Sequence, residues 1–323
     1  MHKEIAKEDK KKIVIDLDKI VKLAKDNYPK NEKGAARFNT GSSIIRPNSD
    51  EDFVVWSKNS FWKDLTNLKG LPLGKVVQIS GKPDSGKSSC ALQFMVDAQK
   101  QGLLVVLWDA EGKFSDFRFE KMGGDPSQLL VVDTNSIVDG AKGVAHLVNT
   151  VKEQYPKQKI LIVWDSVGSS INSSENHEDD EDFSKQPGVD AREIGWAVKK
   201  FNKLINKYAN RETGEHTIGT LVINQTYANI GSVGMVERGG SQLEYLSSVI
   251  VQLTRKQDLT RVKNGNKYKY GILTRCKVKK NHLFNAEESL HELEGVVAAD
   301  GVYPAKDVKS REDIQGWNDS EED

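Results

Sequence analysis

The sequence predicts an α/β protein, a mainly parallel sheet flanked by helices on both faces. Three observations predict it. Gly81, Lys82, Pro83, Asp84, Ser85, Gly86, Lys87 and Ser88 spell G-x-x-x-x-G-K-[ST], the phosphate-binding loop. An apolar stretch, Val76-Val77-Gln78-Ile79, runs into it, and a helix-like stretch from Ser89 to Met95 leaves it. Further apolar runs alternate with helical patterns and end in polar residues, and in such sheets ligands bind at the carboxyl ends of the strands.

Composition sets the frame. At 323 residues the chain can bury one large core with a small appendage. Lys and Arg number 47, and so do Asp and Glu, so overall charge announces no nucleic-acid partner and any such site must come from local clustering. Cys90 and Cys276 are the only cysteines and lie in apolar patterns. They fit a reducing compartment and leave no disulfide framework or cysteine-rich metal site. The charged opening Met1-His2-Lys3-Glu4 is not a secretory signal, and no apolar run approaches a membrane span. The expectation is a cytoplasmic protein.

In chain order, residues 1–28 read as a charged helix with an apolar stripe of Ile5, Ile13, Ile15, Leu17, Ile20, Val21, Leu23 and Ala24. Residues 29–52 carry Gly34, Gly41, Pro47 and Asn48 and read as linker. A helix this polar must dock, on its own body or on a neighbouring copy. Trp56, Phe61, Trp62, Leu65 and Leu68 follow, and then the turn Gly70-Leu71-Pro72-Leu73-Gly74 that launches the loop strand. The predicted strands are 103–108, 129–133, 159–166 and 220–225, with a helix over 140–155.

The residue types suit phosphate chemistry. Glycines let consecutive backbone N–H groups face phosphate oxygens, and the helix start adds its positive end. Lys87 is expected to reach the β- and γ-phosphates, and Ser88 to ligate Mg²⁺. Asp165 follows four apolar residues in the Walker B pattern and would hold Mg²⁺ directly or through water; an N-cap is the plainer reading. Glu111 ends a neighbouring strand and could orient water for in-line attack, or be a solvated loop acid. Gln225 could sense the γ-phosphate, or be a surface amide.

Two long segments interrupt the alternation. Residues 167–190 carry the acidic run Glu175-Asn176-His177-Glu178-Asp179-Asp180-Glu181-Asp182, and residues 226–241 carry Gly231, Gly234, Gly239 and Gly240. Both read as mobile loops near the nucleotide edge. Beyond them, a helix from Leu243 passes into a strand over 248–253. A hairpin over 256–268 turns at Lys263-Asn264-Gly265-Asn266, and 270–278 returns. The run Arg275-Cys276-Lys277-Val278-Lys279-Lys280-Asn281-His282 is the most basic in the chain: a phosphate site, or a lysine-protected strand edge. Residues 304–323 read as an acidic tail.

Taken together, these segments resemble the RecA-type homologous recombinases. The resemblance rests on Gly70-Leu71-Pro72-Leu73-Gly74-Lys75-Val76-Val77 before the phosphate loop, Asp109-Ala110-Glu111, Asp165-Ser166-Val167, Asn224-Gln225 with Gly239-Gly240, and Lys280-Asn281-His282. It implies a RecA-type ATPase core over 53–303, with an N-terminal polymerisation helix and linker over 1–52 that packs on the adjacent protomer. It implies ATP and Mg²⁺ as cofactors. It implies a helical filament of the protein on single-stranded DNA that pairs and exchanges strands with a homologous duplex. Glu111, Lys87, Gln225 and, across the interface, Lys280 would serve catalysis. The loop residues, Ser89 and Arg118 would hold nucleotide, and the base would stack on Phe117, Arg118 or Phe119. Arg192, Tyr227, Ile230, Gly231, Arg238, Gly239 and Gly240 would face DNA. A single-strand-binding protein and a loading mediator are further partners it admits.

Asn224-Gln225-Thr226-Tyr227 and the short segment after Tyr303 look more like the phage-encoded, UvsX-like members, and other positions depart from the bacterial pattern as well. Only about twenty residues follow Tyr303, Tyr227 and Asn229 stand where bacterial members are basic, and His282 replaces the second basic residue of the trans pair. Other readings on the same fold are a hexameric helicase or translocase, a non-catalytic recombination mediator, and a metabolite kinase. The first does not explain the Gly-Leu-Pro-x-Gly lead-in. Glu111 argues against the second, and no acceptor site supports the third.

Overall fold

The computed structural model describes residues 16–27, 37–39, 53–56, 59–173, 188–209, 215–228, 235–263, 265–283 and 291–307. The acidic run 175–182, the tail from residue 308, and Ile230 and Gly231 lie outside the described residues.

One large sheet carries the molecule. Its middle is parallel, in the order β6 (Leu129–Asp133), β5 (Leu104–Asp109), β7 (Ile160–Asp165), β8 (Ile218–Ala228), β4 (Val76–Gly81), β10 (Val249–Lys263). β10 then pairs antiparallel with β11 (Asn266–Asn281), followed by β12 (Glu292–Ala298) and β13 (Gly301–Pro304). At the other edge, β1 (Arg37–Asn39) lies antiparallel on β6. A separate ribbon joins β2 (Phe53–Val55) to β3 (Gly70–Pro72).

The parallel strands are apolar on both sides because helices cover both faces. Leu104, Val106 and Trp108 point into one core with Ile160, Ile162 and Trp164. Val105, Leu107, Leu161 and Val163 point into the other. This period of two turns a continuous apolar run into two half-cores. The first core takes α5 (Ile137–Gln154), α6 (Val189–Lys207) and α7 (Gly240–Leu246). The second takes α2 (Phe61–Thr66), α3 (Lys87–Lys100) and α4 (Asp116–Lys121). Trp62 and Trp56 each pack on Phe94 of α3 at 4.8 Å, so the segment before the phosphate loop is anchored to the helix that follows it.

In the first core Trp108 stacks on Trp164 at 4.2 Å and 10°. Both indoles are also tied by their N–H groups, to the Thr134 carbonyl at 2.7 Å and Ser170 Oγ at 2.9 Å. A Cβ on Gly140 would lie 2.0 Å from the Trp108 ring. Gly140→Ala therefore gains about 1 kcal/mol of helix propensity but forces a locked ring aside at a larger cost. The expected net loss is about 2 kcal/mol, read from the urea midpoint; an unchanged midpoint would contradict the packing.

Helix α1 (Leu17–Asn27) starts at Asp16, whose Oδ1 accepts from the Lys19 amide at 2.9 Å. Leu17, Ile20, Val21 and Ala24 are buried in the core that holds α5 of the same chain. His146 Nε2 on α5 lies 2.8 Å from the Ala24 carbonyl. Here α1 packs on the body of its own chain. The part of the stripe formed by Ile5, Ile13 and Ile15 lies outside the described residues.

Two expectations change. The strand over 248–253 and the hairpin over 256–268 are one ribbon, β10 with β11, paired from Val249↔Asn281 out to Lys263↔Asn266. The segment after Gln225 is not wholly loop, because β8 runs on to Ala228 and pairs with β9 (Met235–Glu237). Thr226 and Tyr227 are good strand formers, which carries the ladder beyond Gln225 to Ala228, short of the first glycine at 231.

Candidate active site

The cleft forms where β4, β5, β7 and β8 end. Asp109 sits opposite Asp165, and Gly81 opposite Gln225. The chain leaves β4 through α3 and re-enters the sheet at β5, beyond β8 and β7, which opens a crevice at the carboxyl ends. The cleft has a volume of about 960 Å³.

The loop is built for an anion. Gly86, at φ 94°, caps α3 without any side-chain hydrogen bond, so the first amides of this helix have no side-chain cap. A side chain at Gly86 would be strained and would strike Val297 at 2.8 Å. Lys87 Nζ donates to the Lys82 carbonyl at 2.8 Å, lying across its own loop. Burial lowers its pKa, against the pull of Asp165 and Glu111.

Asp165 is a half-buried carboxylate of the cleft, and burial pushes it up to about 7, with Ser88 hydrogen-bonded to it and Glu111 and Asp109 nearby. Among the described residues its Oδ1 has no hydrogen-bond partner. An orphaned carboxylate oxygen beside a serine hydroxyl fits a Mg²⁺ that keeps most of its ligands as water and phosphate. Among the described residues no group of three or more His, Cys, Asp or Glu side chains is placed to hold a metal ion by itself.

Glu111 is the most heavily engaged group. Its Oε1 accepts from Ser166 Oγ at 2.8 Å, Ser169 Oγ at 2.6 Å and Gln225 Nε2 at 3.2 Å. Lys113 Nζ is 3.1 Å from Oε2. Burial works to raise its pKa, but the hydrogen bonds from Ser169, Ser166 and Lys113 win and hold it below the ordinary value. Asp109, its neighbour on β5, is occupied structurally, accepting from the amides of Lys113 at 3.3 Å and Phe114 at 2.9 Å.

The sequence-predicted residues are thus partly assembled. Pro83, Asp84, Ser85, Gly86, Lys87, Ser88, Ser89, Glu111, Asp165, Gln225 and Arg118 line the cleft. Arg118 Nη2 donates to Ser89 Oγ. Of the three candidates for stacking on a base, Phe119 is ruled out: it is fully buried, packed on Phe114 at 5.5 Å. Phe117 is exposed outside the cleft wall, with Lys121 Nζ 4.8 Å from its ring centre. The cleft wall carries Phe114 and Arg118 instead.

Other candidates lie elsewhere. Lys280 pairs with Ile250, away from the loop end of the strand, and its Nζ donates to the carbonyls of Glu244 at 2.7 Å and Tyr245 at 3.1 Å. It does not reach the cleft of its own chain. Arg192 is exposed on the first turn of α6. Tyr227 is 44% exposed and its hydroxyl donates to Gln225 Oε1 at 3.2 Å. Gly239 is buried, and a Cβ there would lie 2.9 Å from Ile194 of α6, so its backbone serves packing rather than an open surface. Gly240 follows at φ 60° and is exposed. The Arg238 side chain is only 17% exposed and is tied to Asp190.

Sequence reasoning missed Ser166 and Ser169 as partners of Glu111, and Phe114, Arg255 and Lys269 as cleft residues. Arg255 and Lys269 come from the β10–β11 ribbon, and Asp258 bridges them at 2.6 and 2.7 Å. Nothing in the sequence signals them except the length of the ribbon.

Against known proteins, the family model described as the RecA N-terminal domain matches residues 37–292. The chain belongs to the RecA family. The curated relatives it resembles include Protein RecA of Ureaplasma parvum serovar 3, 30% identical over 238 residues, which are 72% of this chain and 65% of that one. Protein RecA of Cytophaga hutchinsonii is 29% identical over 250 residues, covering 75% and 65%. Protein RecA of Crocosphaera subtropica is 30% identical over 221 residues, covering 68% and 58%. The match to these RecA proteins therefore spans less than two thirds of their length. These are bacterial relatives, and the UvsX-like character remains a reading of the sequence. No helix among the described residues is long and apolar enough to cross a membrane.

Proposed function

We propose that this chain is an ATP-dependent DNA recombinase that assembles as a helical filament on single-stranded DNA, hydrolyses ATP in response to it, and pairs it with a homologous duplex. The observation that carries the reading is the contact of Gln225 with Glu111 across the phosphate cleft. A carboxylate suited to hydrolysis and an amide suited to sensing phosphate meet there, and Gln225 stands at the start of a segment read as DNA-facing.

In this reading the amides of residues 82–88 and Lys87 take the triphosphate. Ser88 and Asp165 would hold Mg²⁺, which neutralises charge on the phosphates. Glu111 orients the attacking water and accepts its proton. Gln225 meets the γ-phosphate and transmits its loss to β8 and β9. Arg118 and Phe114 form the wall for the base. Arg192, Tyr227, Ile230, Gly231, Arg238, Gly239 and Gly240 serve the DNA side, with a share of contacts falling to backbone amides where glycines expose them.

Self-assembly is proposed on the resemblance. Within residues 1–52, α1 and β1 would exchange their docking from α5 and β6 of their own chain to those of a neighbour. Lys280, displaced from its own cleft, would then act on the nucleotide of the adjacent copy. The core is 53–303 and the acidic tail 304–323. Negative-stain microscopy of the full chain with ATP and single-stranded DNA tests the assembly: open helical filaments are expected, and closed rings would overturn it.

A further inference from the structure

Glu111 Oε1 has three donors, and two of them, Ser166 and Ser169, belong to one short segment after β7. That segment is itself held from outside. Arg238 Nη1 donates to the carbonyls of Val167 at 3.3 Å and Gly168 at 2.9 Å. The rest of the guanidinium is fixed on Asp190 at the start of α6, with Nε and Nη2 each 2.9 Å from Oδ2. Asn172 Nδ2 donates to the other Asp190 oxygen. The Arg238 backbone is pinned as well: its carbonyl accepts from Asn224 Nδ2 at 2.8 Å, and its amide donates to the Gln225 carbonyl at 3.4 Å. There is no slack in the segment, because a Cβ on Gly168 would lie 2.5 Å from the Gln225 side chain.

Arg238 therefore joins four places: by its backbone Asn224 and Gln225 of β8, and by its guanidinium the residues after β7, the start of α6 and, through two serines, the carboxylate of Glu111. A base that must accept a proton from water needs an open lone pair. Here Oε1 is saturated and Oε2 faces Lys113. We propose that Arg238 and Asp190 are positioning residues for Glu111. Their clasp presses Ser166 and Ser169 onto the carboxylate and keeps Oε1 from water until an anion takes Arg238 from Asp190. A DNA phosphate is that anion: it offers the same paired acceptors as a carboxylate, and a guanidinium binds either through two parallel hydrogen bonds. Arg238 then leaves the Val167 and Gly168 carbonyls, the segment relaxes, and Oε1 is freed. Asp190 is 36% exposed, so the exchange can take place without unfolding α6.

The inference rests on the DNA-gated hydrolysis proposed above, and its test separates the two. Steady-state ATP turnover by the full chain is measured with and without a single-stranded oligonucleotide for the wild type, Asp190→Asn, Arg238→Lys and Ser169→Ala. Asp190→Asn is expected to raise kcat without DNA about tenfold, the scale of one charge-assisted hydrogen bond, with KM for ATP unchanged. The stimulation factor falls to match, because the DNA-saturated rate stays where it is. Ser169→Ala, which leaves the clasp intact, should raise the DNA-free rate in the same direction. Arg238→Lys keeps the charge but loses the fork, and should lie between wild type and Asp190→Asn. A merely structural clasp would lower kcat in both conditions and lower Tm. An unchanged or reduced DNA-free kcat in an Asp190→Asn protein that melts with the wild type overturns the proposal. If that variant does not fold, the same outcome in Ser169→Ala and Arg238→Lys overturns it. A wild type that ignores DNA defeats the recombinase reading and DNA phosphate as the releasing anion, while the rise in DNA-free turnover still decides the positioning role.

Discussion

Glu111→Gln should abolish ATP turnover while leaving ATP bound. Glutamine fills the same space and its amide oxygen can still accept from Ser166 and Ser169, so the cleft keeps its shape. What it loses is the capacity to take a proton. A positioned general base contributes about 10²–10⁴-fold, and Glu111 is the carboxylate placed for it: Asp109 is spent on two backbone amides, and Asp165 lies against Ser88. The expected result is a fall in DNA-saturated kcat of about 10³, with the Kd for ATP within a few-fold of wild type. A variant that keeps a tenth of its turnover would remove Glu111 from the chemistry and return it to the cleft wall.

Lys87→Ala should fail one step earlier, at binding. Lys87 Nζ is a buried ammonium at the base of the loop, facing Asp165 and Glu111. Its removal strips an anion site of its cation and leaves two carboxylates facing the phosphates. Hydrogen bonds to charged groups are worth about 1.5–3 kcal/mol each, so the loss amounts to about 100-fold in Kd. Titration calorimetry with a non-hydrolysable ATP analogue reads it directly. Near-wild-type affinity would mean that the loop amides and the α3 terminus hold the phosphates alone. The two variants thus separate binding from hydrolysis: one blocks entry of nucleotide, the other traps it.

Much of this was legible in the sequence because it rests on local rules. A run such as Leu104 to Asp109 is apolar throughout and closes on an acid, so its burial and its polar end are both visible without a partner. The phosphate loop carries its own geometry in Gly86 and its own chemistry in Lys87 and Ser88. The docking stripe of α1 is written in the spacing of Leu17, Ile20, Val21 and Ala24. Non-local relations stayed hidden. Phe117 and Phe119 are the same residue type two positions apart, and only the packing of α4 on Phe114 sends one inward and leaves the other in water. Ser166 reads as an ordinary residue after an acid until the fold brings it to Glu111, fifty-five positions away. Arg238 looked like a cation offered to DNA, and nothing near it in sequence announces Asp190, forty-eight positions earlier. The cleft residues Arg255 and Lys269 depend on the register of a long ribbon with bulges, and register is set by tertiary pairing.

The account turns on a hydrolytic site governed by DNA. The direct measurement is ATP hydrolysis by the purified full chain, titrated with single-stranded DNA at saturating ATP and Mg²⁺, beside Lys87→Ala and Glu111→Gln. The expected result is turnover that rises steeply with DNA, reaches a plateau, and is absent in both variants. Turnover at the same rate with and without DNA, still lost in Lys87→Ala, would contradict it: the cleft would be a working ATPase with no coupling to the segments that follow Asp165 and Gln225.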